Sequence, residues 1–399
     1  MRYAENKNNK TAISSLGLGC MRFPKKGVGI DINASAELFK YAVDNGVNYF
    51  DTAYAYPGSE EALGECISRT GYRDKINIAT KVPPYKIHKY EDFDKIFNTQ
   101  LSRLKTDYID YYLIHMLNNA ETLDRMVSLG FERWVEEKKQ SGKIKNIGFS
   151  YHGGRNEFPV IIDRYNFDFC MIQYNYVDEN NQAGKSGLKY ANEKGLNVFI
   201  MEPLRGGTLV KSLPAGAKKV FNRADKEKTL AEWSLRWLFD QKEVSVVVSG
   251  ACSVEQLKQN ISLTEKYPAG NLSEEERLVY PKVIEEINKV VKVSCTACGY
   301  CMPCPKNVDI PTCFTCYNET YSESLYQGLK HYVMNTGGLS GKYSCASECI
   351  DCKKCEKECP QHIEISKQIK KVKRKMESFW FRPLLYMVRV VTGVNKKQG

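Results

Sequence analysis

Two runs of four cysteines dominate the chemistry open to this chain. Cys349, Cys352, Cys355 and Cys359 follow the spacing C-x2-C-x2-C-x3-C, and Pro360 comes next. Cys295, Cys298, Cys301 and Cys304 repeat the pattern with a last gap one residue shorter, followed by Pro305. In such a run three thiolates on a tight loop reach three irons of one 4Fe-4S cube, and the fourth, displaced by the proline turn, points to the other cluster. That logic assigns Cys295, Cys298, Cys301 and Cys359 to one cluster. Cys349, Cys352, Cys355 and Cys304 hold the second, with the short gap before Cys304 as its irregularity. Paired C-x2-C also builds zinc sites; two runs of four, each ending in Cys-Pro, favour iron–sulfur. Cys313, Cys316 and Cys345 are surplus and read as buried thiols, with alternative ligands as the other reading.

A second group of reactive side chains lies far upstream, at the ends of short apolar runs. Asp51 follows VNYF and opens Asp51-Thr52-Ala53-Tyr54-Ala55-Tyr56; Lys81 ends INIAT; His115 ends IDYYLI. An aspartate, a tyrosine, a lysine and a histidine make an acid–base set. Each alone has a bland reading, as a surface lysine, a core histidine or a loop-capping carboxylate. Together they gain meaning if the runs they end are parallel strands of one barrel, whose C-terminal ends converge on a single face.

The elements that would position them are legible. Strand-like runs occur at Leu16–Cys20, Val47–Phe50, Ile76–Thr80, Ile109–Ile114, Ile144–Phe149, Phe169–Gln173, Val198–Met201 and Val244–Ser249, with helical stretches between. Regular alternation implies a parallel sheet with right-handed crossovers. Eight units in about 250 residues fit a closed (β/α)8 TIM barrel. The open dinucleotide-binding alternative has only Gly17-Leu18-Gly19, which lacks a third glycine and opens no helix. Asn33 is expected to cap the first helix, with Leu38, Phe39, Ala42 and Val43 on its apolar side and Gly46 as its stop. Ser212–Thr229 reads as a surface loop, and Asn271-Leu272-Ser273 before three glutamates as a helix start. The fold class is therefore α/β, a barrel over residues 1–285. A small, mainly α-helical dicluster domain follows over 286–378, with helix formers around Phe314–Met334. A basic aromatic tail occupies 379–399.

Composition excludes several classes. The 399 residues are 42% hydrophobic and 26% charged, which fits a folded chain. No run approaches the ~20 apolar residues of a membrane span, and the polar N-terminus lacks a secretory core. A cytoplasmic location is expected. Of 15 cysteines, only Cys20, Cys66, Cys170 and Cys252 precede Cys295, and dense cysteine in a reducing compartment points to metal. The formal charge of +11 falls to about +7 if each cluster unit carries −2, so part of the cationic excess balances the clusters. No nucleic-acid module is visible, so no nucleic-acid partner is expected. The tail, SFWFRPLLYMVRVVTG, is expected to dock on the protein's own surface; a membrane surface or a partner protein is the other reading.

The barrel half resembles the aldo-keto reductases. VNYFDTAYAYPGSEEALG at 47–64 is similar to the signature around their catalytic tyrosine, and ATK (79–81), LIH (113–115), GFS (148–150), QYN (173–175), EPLRGG (202–207) and SGACSVEQLKQN (249–260) are similar to later landmarks. The resemblance covers about residues 10–265. The cysteine half resembles the helical ferredoxin-type dicluster domain fused to some bacterial and archaeal members. The barrel's resemblance to the aldo-keto reductases implies Tyr56 as proton donor, with Tyr54 as rival. A phenol's ordinary pKa of about 10 is high for an acid at neutral pH, and a neighbouring Lys81 would lower it. Asp51 would orient Lys81, and His115 would position a small carbonyl or alcohol substrate. The resemblance places a nicotinamide near Ser150 and Gln173 with Tyr174 stacked on it, the pyrophosphate by Leu204, Gly206 and Gly207, and the adenosine by Gly250, Ser253, Gln256 and Asn260. Tyr151-His152 stand where the family often has Asn after the serine, and no arginine occupies 249–260, so NADP and NAD both remain open.

A nicotinamide moves two electrons as hydride and a cluster moves one, so coupling them needs a carrier of both kinds, such as a flavin. Three readings follow. In the first, clusters pass electrons to or from the barrel site or a redox protein partner. In the second, a conventional carbonyl reductase carries structural or redox-sensing clusters. In the third, an inactive barrel serves an electron-transfer or docking module. The intact set of Asp51, Tyr56, Lys81 and His115 argues against the third, and the length of chain given to two clusters argues against the second. Tyr85, Phe131 and Trp134 are candidate pocket walls, with core or surface packing as the favoured role.

Overall fold

The computed structural model describes residues 1–391 apart from 8, 28, 323 and 339–342. Two compact units are present: Met1–Leu204 with Ala231–Ser273, and Arg205–Leu230 with the chain from Glu274 onward.

The first unit is a closed barrel of eight parallel strands. We number them β1 (Leu16–Gly19), β2 (Tyr49–Asp51), β3 (Asn77–Val82), β4 (Ile109–Ile114), β5 (Ile144–Tyr151), β6 (Phe169–Gln173), β7 (Asn197–Met201) and β8 (Val244–Ser249). Each pairs with its neighbours in sequence, and β8 closes on β1. Every expected strand is present, with ends shifted by a few residues. Inward-facing Tyr49, Tyr111, Phe169 and Phe199 fill the barrel with mutual ring contacts of 4.9–5.5 Å. An antiparallel hairpin, Tyr3–Glu5 with Ala12–Ser14, contributes Ile13 to that core. Asn6, between its strands, donates to the Tyr111 hydroxyl at 2.6 Å. The barrel is a packed core, and chemistry is confined to its rim.

The first helix, Ile32–Asp44, buries Leu38, Phe39 and Ala42, but its cap differs from expectation. Asp31 is the N-cap, and its carboxylate accepts from the backbone N–H groups of Asn33 and Ala34. A capping side chain serves donors two or three residues on, so Asp31 sits in register and Asn33 does not. Gly64 lies inside helix Ser59–Thr70, where a Cβ would stand 2.1 Å from the Arg103 carbonyl oxygen of helix Glu91–Leu104. Gly→Ala within a helix ordinarily stabilises by about 1 kcal/mol. Here the backbone contact reverses the sign, and Gly64→Ala should cost about 1–3 kcal/mol, read as a lowered urea midpoint.

The second unit is helical. Residues 212–229, expected as a loop, contain helix Ala215–Ala224. Its apolar residues Ala217 and Phe221 are buried, and Phe221 meets Tyr280 of helix Val279–Val290 at 6.0 Å between rings. The charged surface of that stretch concealed a one-sided helix. Helices Ile310–Ser322 and Leu325–Val333 separate the cysteine runs. With Ile365–Met376 and Phe381–Val391 they enclose a core of Phe314, Tyr332, Ile369, Val372 and Leu385. Part of the expected tail is thus a helix packed on its own unit; residues 392–399 lie outside the described residues. No helix among the described residues is long and apolar enough to cross a membrane.

Candidate functional site

Strands β2, β3 and β4 end side by side and bring three charged or polar groups to one rim. Asp51 ends β2, Lys81 is the next-to-last residue of β3, and His115 follows β4. The Lys81 ammonium is buried, 2.6 Å from the Asp51 carboxylate and 2.7 Å from the Thr52 carbonyl. Its nitrogen stands 5.0 Å from the centre of the Tyr56 ring, and that ring meets the His115 imidazole edge-on at 5.7 Å. Tyr54 lies elsewhere, its ring under the Arg103 guanidinium at 4.6 Å. Burial raises the Asp51 pKa, partly offset by Lys81 and by the Tyr49 hydroxyl. Burial, and then the neighbouring Asp51 carboxylate, push the Cys20 thiol well above its usual range.

His115 is buried, and desolvation, then the Lys81 charge, then His152 push its pKa well below the usual histidine range. It therefore stays neutral at neutral pH. Below about pH 6.5 the unfolded chain binds a proton here that the folded chain does not, so this site's contribution to stability is full above that pH and falls as acid is added. The melting temperature of the wild type should drop more steeply between about pH 7 and about pH 5.5 than that of His115→Gln. Parallel curves would contradict the neutral assignment.

The expected nucleotide residues divide. Ser150 on β5 and Gln173 on β6 are buried on neighbouring strands; the Ser150 oxygen accepts from the Met116 N–H at 2.9 Å. Gln173 is fixed through its amide, which donates to Asp178 at 2.9 Å and accepts from Gln182 at 3.0 Å. Gln182 in turn meets His152 at 3.2 Å. Tyr174 is not brought to this group. Successive strand residues face opposite ways, and its fully buried ring packs on Trp237 at 5.0 Å. Met201, the register partner of Gln173 on β7, is half-buried and packs against the barrel core. Leu204 ends the first unit's run. Arg205, Gly206 and Gly207 open the second with three successive left-handed residues, at φ 49°, 68° and 96°. Ser253 caps helix Val254–Lys266 through the Gln256 N–H, the Gln256 side chain accepts from Cys252 N–H, and Asn260 turns inward to Ser249 at 2.9 Å. Gly250 abuts Arg22, whose Cδ would lie 2.9 Å from a Cβ placed there.

The two cysteine runs follow one backbone path. Left-handed residues occur at Ala297, Gly299 and Asn307 in the first run, and at Asp351, Lys353 and His362 in the second. Their hydrogen bonds also correspond. Met302 N–H to Gly299 carbonyl (2.9 Å) matches Glu356 to Lys353 (3.1 Å), and Asn307 to Cys304 (2.9 Å) matches His362 to Cys359 (3.0 Å). Cys304 and Cys359 thus occupy equivalent positions despite the shorter gap. A left-handed Ala or Lys costs about 1–2 kcal/mol, and its recurrence at matching places marks a shared constraint. Cys295, Cys298, Cys301 and Cys359 line one cavity of about 310 Å³, part of it open to solvent, together with Thr296, Ile310, Phe314 and Ile365. The Thr296 hydroxyl is buried without a protein partner among the described residues. Burial raises the Cys301 thiol, and Cys295, Cys298 and Cys359 add to the effect. Cys355 is raised to about 11, by burial and then by its neighbours Cys349 and Cys304. Cys352 is exposed. Among the described residues, no three His, Cys, Asp or Glu side chains meet closely enough to ligate a single ion. A cube presents a different iron to each thiolate, so its ligands ring a space instead of meeting at a point. The cavity, the orphaned hydroxyl and the thiol set fit that group. Cys313, Cys316 and Cys345 are buried.

Residues 15–269 match the Aldo/keto reductase family. The chain belongs to this family. An uncharacterized oxidoreductase of Bacillus subtilis is 28% identical over 303 residues, covering 66% of this chain and 90% of the relative. An aldo-keto reductase of Bacillus halodurans, solved in a holo form, is 26% identical with a TM-score of 0.59, over 71% of this chain and 96% of its own. An aldo-keto reductase of Klebsiella pneumoniae solved with NADPH shares the fold, at 22% identity and a TM-score of 0.56, over 70% of this chain and 96% of its own. The protein is an oxidoreductase of the aldo/keto reductase type, and residues beyond 269 lie outside the family match.

This aldo/keto reductase has supporting residues that the sequence did not single out. Glu60 is fully buried behind β3; its carboxylate accepts from Thr80 at 2.6 Å, Gln100 at 2.9 Å and Arg103 at 3.1 Å. Gln100 also donates to the Lys81 carbonyl at 3.2 Å. These bonds hold the segment that carries Lys81. In sequence Glu60 is one of two adjacent glutamates, and nothing local marks it as the buried one. Of the candidate pocket walls, Phe131 and Trp134 are core residues and Tyr85 is exposed.

Proposed function

We propose that this protein interconverts small carbonyl compounds and alcohols with NAD(P)H, and that its helical unit holds two 4Fe-4S clusters that exchange electrons with the barrel site or a redox partner. The convergence of Asp51, Lys81, Tyr56 and His115 on one rim carries the first half. The repeated path of the two cysteine runs supports the second.

The balanced reaction is NAD(P)H + H⁺ + carbonyl → NAD(P)⁺ + alcohol. The nicotinamide, when bound, supplies the hydride. Neutral His115 orients the substrate oxygen by hydrogen bonding. Tyr56 gives its phenolic proton to the oxygen as the C–H bond forms, and the Lys81 ammonium stabilises the phenolate left behind. Asp51 and the Thr52 carbonyl fix that ammonium in place. Ser150 and the restrained Gln173 would hold the carboxamide, with Met201 beside them. Arg22, seated against Gly250, brings a cation to the segment that lacks an arginine and suits a phosphate of the nucleotide. Cys295, Cys298, Cys301 and Cys359 would hold one cluster, and Cys304, Cys349, Cys352 and Cys355 the other, each moving one electron at a time. Exchange with a two-electron nicotinamide calls for a carrier of both kinds, of which a flavin is one.

Anaerobically purified protein should lose visible iron–sulfur absorbance when NADPH or NADH is added. Carbonyl-dependent NAD(P)H consumption without bleaching would overturn the electron exchange and leave a conventional reductase with structural or separately served clusters. Bleaching without carbonyl reduction would overturn the substrate assignment.

A further inference from the structure

We infer that the terminal helix, Phe381–Val391, docks this protein on the anionic surface of a lipid bilayer. The helix is apolar on two sides. Phe381 and Leu385 are buried in the core of the helical unit, and Val388 packs against it. Pro383, Tyr386, Met387 and Val390 recur at i, i+3, i+4 and i+7, which places them on one face. That face is turned outward: Tyr386 is 62%, Met387 56% and Val390 51% exposed. Phe379, just before the helix, is 94% exposed. Contiguous exposed apolar side chains of this size mark an interaction surface, because leaving each in water forfeits about 1.5–3 kcal/mol of burial.

Charge identifies the occupant. Helix Ile365–Met376, joined to the terminal helix by a short link, carries Lys367, Lys370, Lys371, Lys373, Arg374 and Lys375 and no acid. Adding Arg382 and Arg389, residues 365–391 hold eight cations against the single Glu377. Glu377 is engaged internally, accepting from the Ser347 N–H at 3.0 Å and from the Tyr332 hydroxyl at 2.5 Å. Lys367 pairs with Glu364, Lys370 with Asp351 and Arg382 with Glu348, and Arg389 is buried, donating to the Gly337 carbonyl at 2.7 Å; Lys371, Lys373, Arg374 and Lys375 keep the segment positive. An aromatic and apolar helix that directly follows a lysine-rich one in the chain matches the two attractions of an interfacial segment, apolar insertion and adhesion to anionic headgroups. At 11 residues the helix is about 16 Å long, about half a hydrocarbon core, so it lies in the interface and does not span it. This inference is independent of what the barrel reduces.

The test is sedimentation of the full-length holoprotein with vesicles. Phosphatidylcholine vesicles containing phosphatidylglycerol are compared with phosphatidylcholine alone. The wild type should pellet with the anionic vesicles and be released by salt. Y386S/M387S/V390S should partition at least about tenfold more weakly, with unchanged visible absorbance and NADPH affinity as proof of folding. Wild-type protein that stays in the supernatant, pellets equally with neutral vesicles, or is unaffected by the triple substitution would overturn the inference. So would a concentration-dependent dimer lost in the variant without vesicle binding, which would give the face to a second copy of this chain.

Discussion

Replacing Tyr56 with phenylalanine should lower kcat for carbonyl reduction by about 10²- to 10⁴-fold, while the dissociation constant for NADPH stays within about twofold. The phenol's ring lies near both the Lys81 ammonium and the His115 ring, and its hydroxyl can release a proton to a substrate oxygen. Phenylalanine keeps the ring, its edge contact with His115 and its packing over Lys81, so the loss isolates the O–H. Lys81→Met should fall in the same range by leaving the phenolate unstabilised. It also strands buried Asp51, and a lower melting temperature should accompany its loss of rate. Tyr54→Phe is the control: the Tyr54 ring sits against the Arg103 guanidinium, and its link to Lys81 is a backbone one, from its N–H to the Lys81 carbonyl at 3.4 Å, which the substitution leaves in place. Full turnover in Tyr56→Phe would overturn the donor assignment, and loss confined to Tyr54→Phe would move the donor two residues upstream.

The second large effect concerns how the cysteines would divide between the two proposed clusters. Cys298→Ala and Cys359→Ala should each remove about four irons of about eight, and the double substitution should remove no more than either alone. Cys298→Ala combined with Cys349→Ala should remove nearly all the iron. The prediction crosses the sequence order: Cys359 ends the second run but lines the cavity of the first. Iron analysis paired with low-temperature paramagnetic resonance of the reduced protein reads both outcomes. Additive loss in C298A/C359A would mean that each run serves its own cluster, with Cys359 beside Cys349, Cys352 and Cys355.

Much of this was legible in the sequence because burial and chemistry coincide on the same short runs. A parallel strand buried on both sides is a continuous apolar run, and each decisive run here ends in a charged or titratable residue. Asp51, Lys81 and His115 could thus be placed on one rim before any geometry. Contacts contributed from distant parts of the chain stayed hidden. Arg22 reaches Gly250 across more than 200 residues, and Glu60 supports Lys81 through Thr80 and Gln100. Tyr174 shows the cost of a one-residue offset: in a strand it turns the side chain to the opposite face, here onto Trp237. The helix at Ala215–Ala224 was masked by lysines and a proline that belong to its exposed side and its cap. Conversely, the correspondence of left-handed residues between the cysteine runs has no sequence signature, since Ala297 pairs with Asp351 and Asn307 with His362.

The central claim, a carbonyl-reducing barrel and two four-iron clusters in one chain, is tested most directly by metal and sulfide analysis of anaerobically purified protein, with its visible spectrum recorded on the same sample. The account predicts a brown protein with about eight irons and about eight acid-labile sulfides per chain. A colourless protein binding zinc stoichiometrically through these cysteines would contradict it.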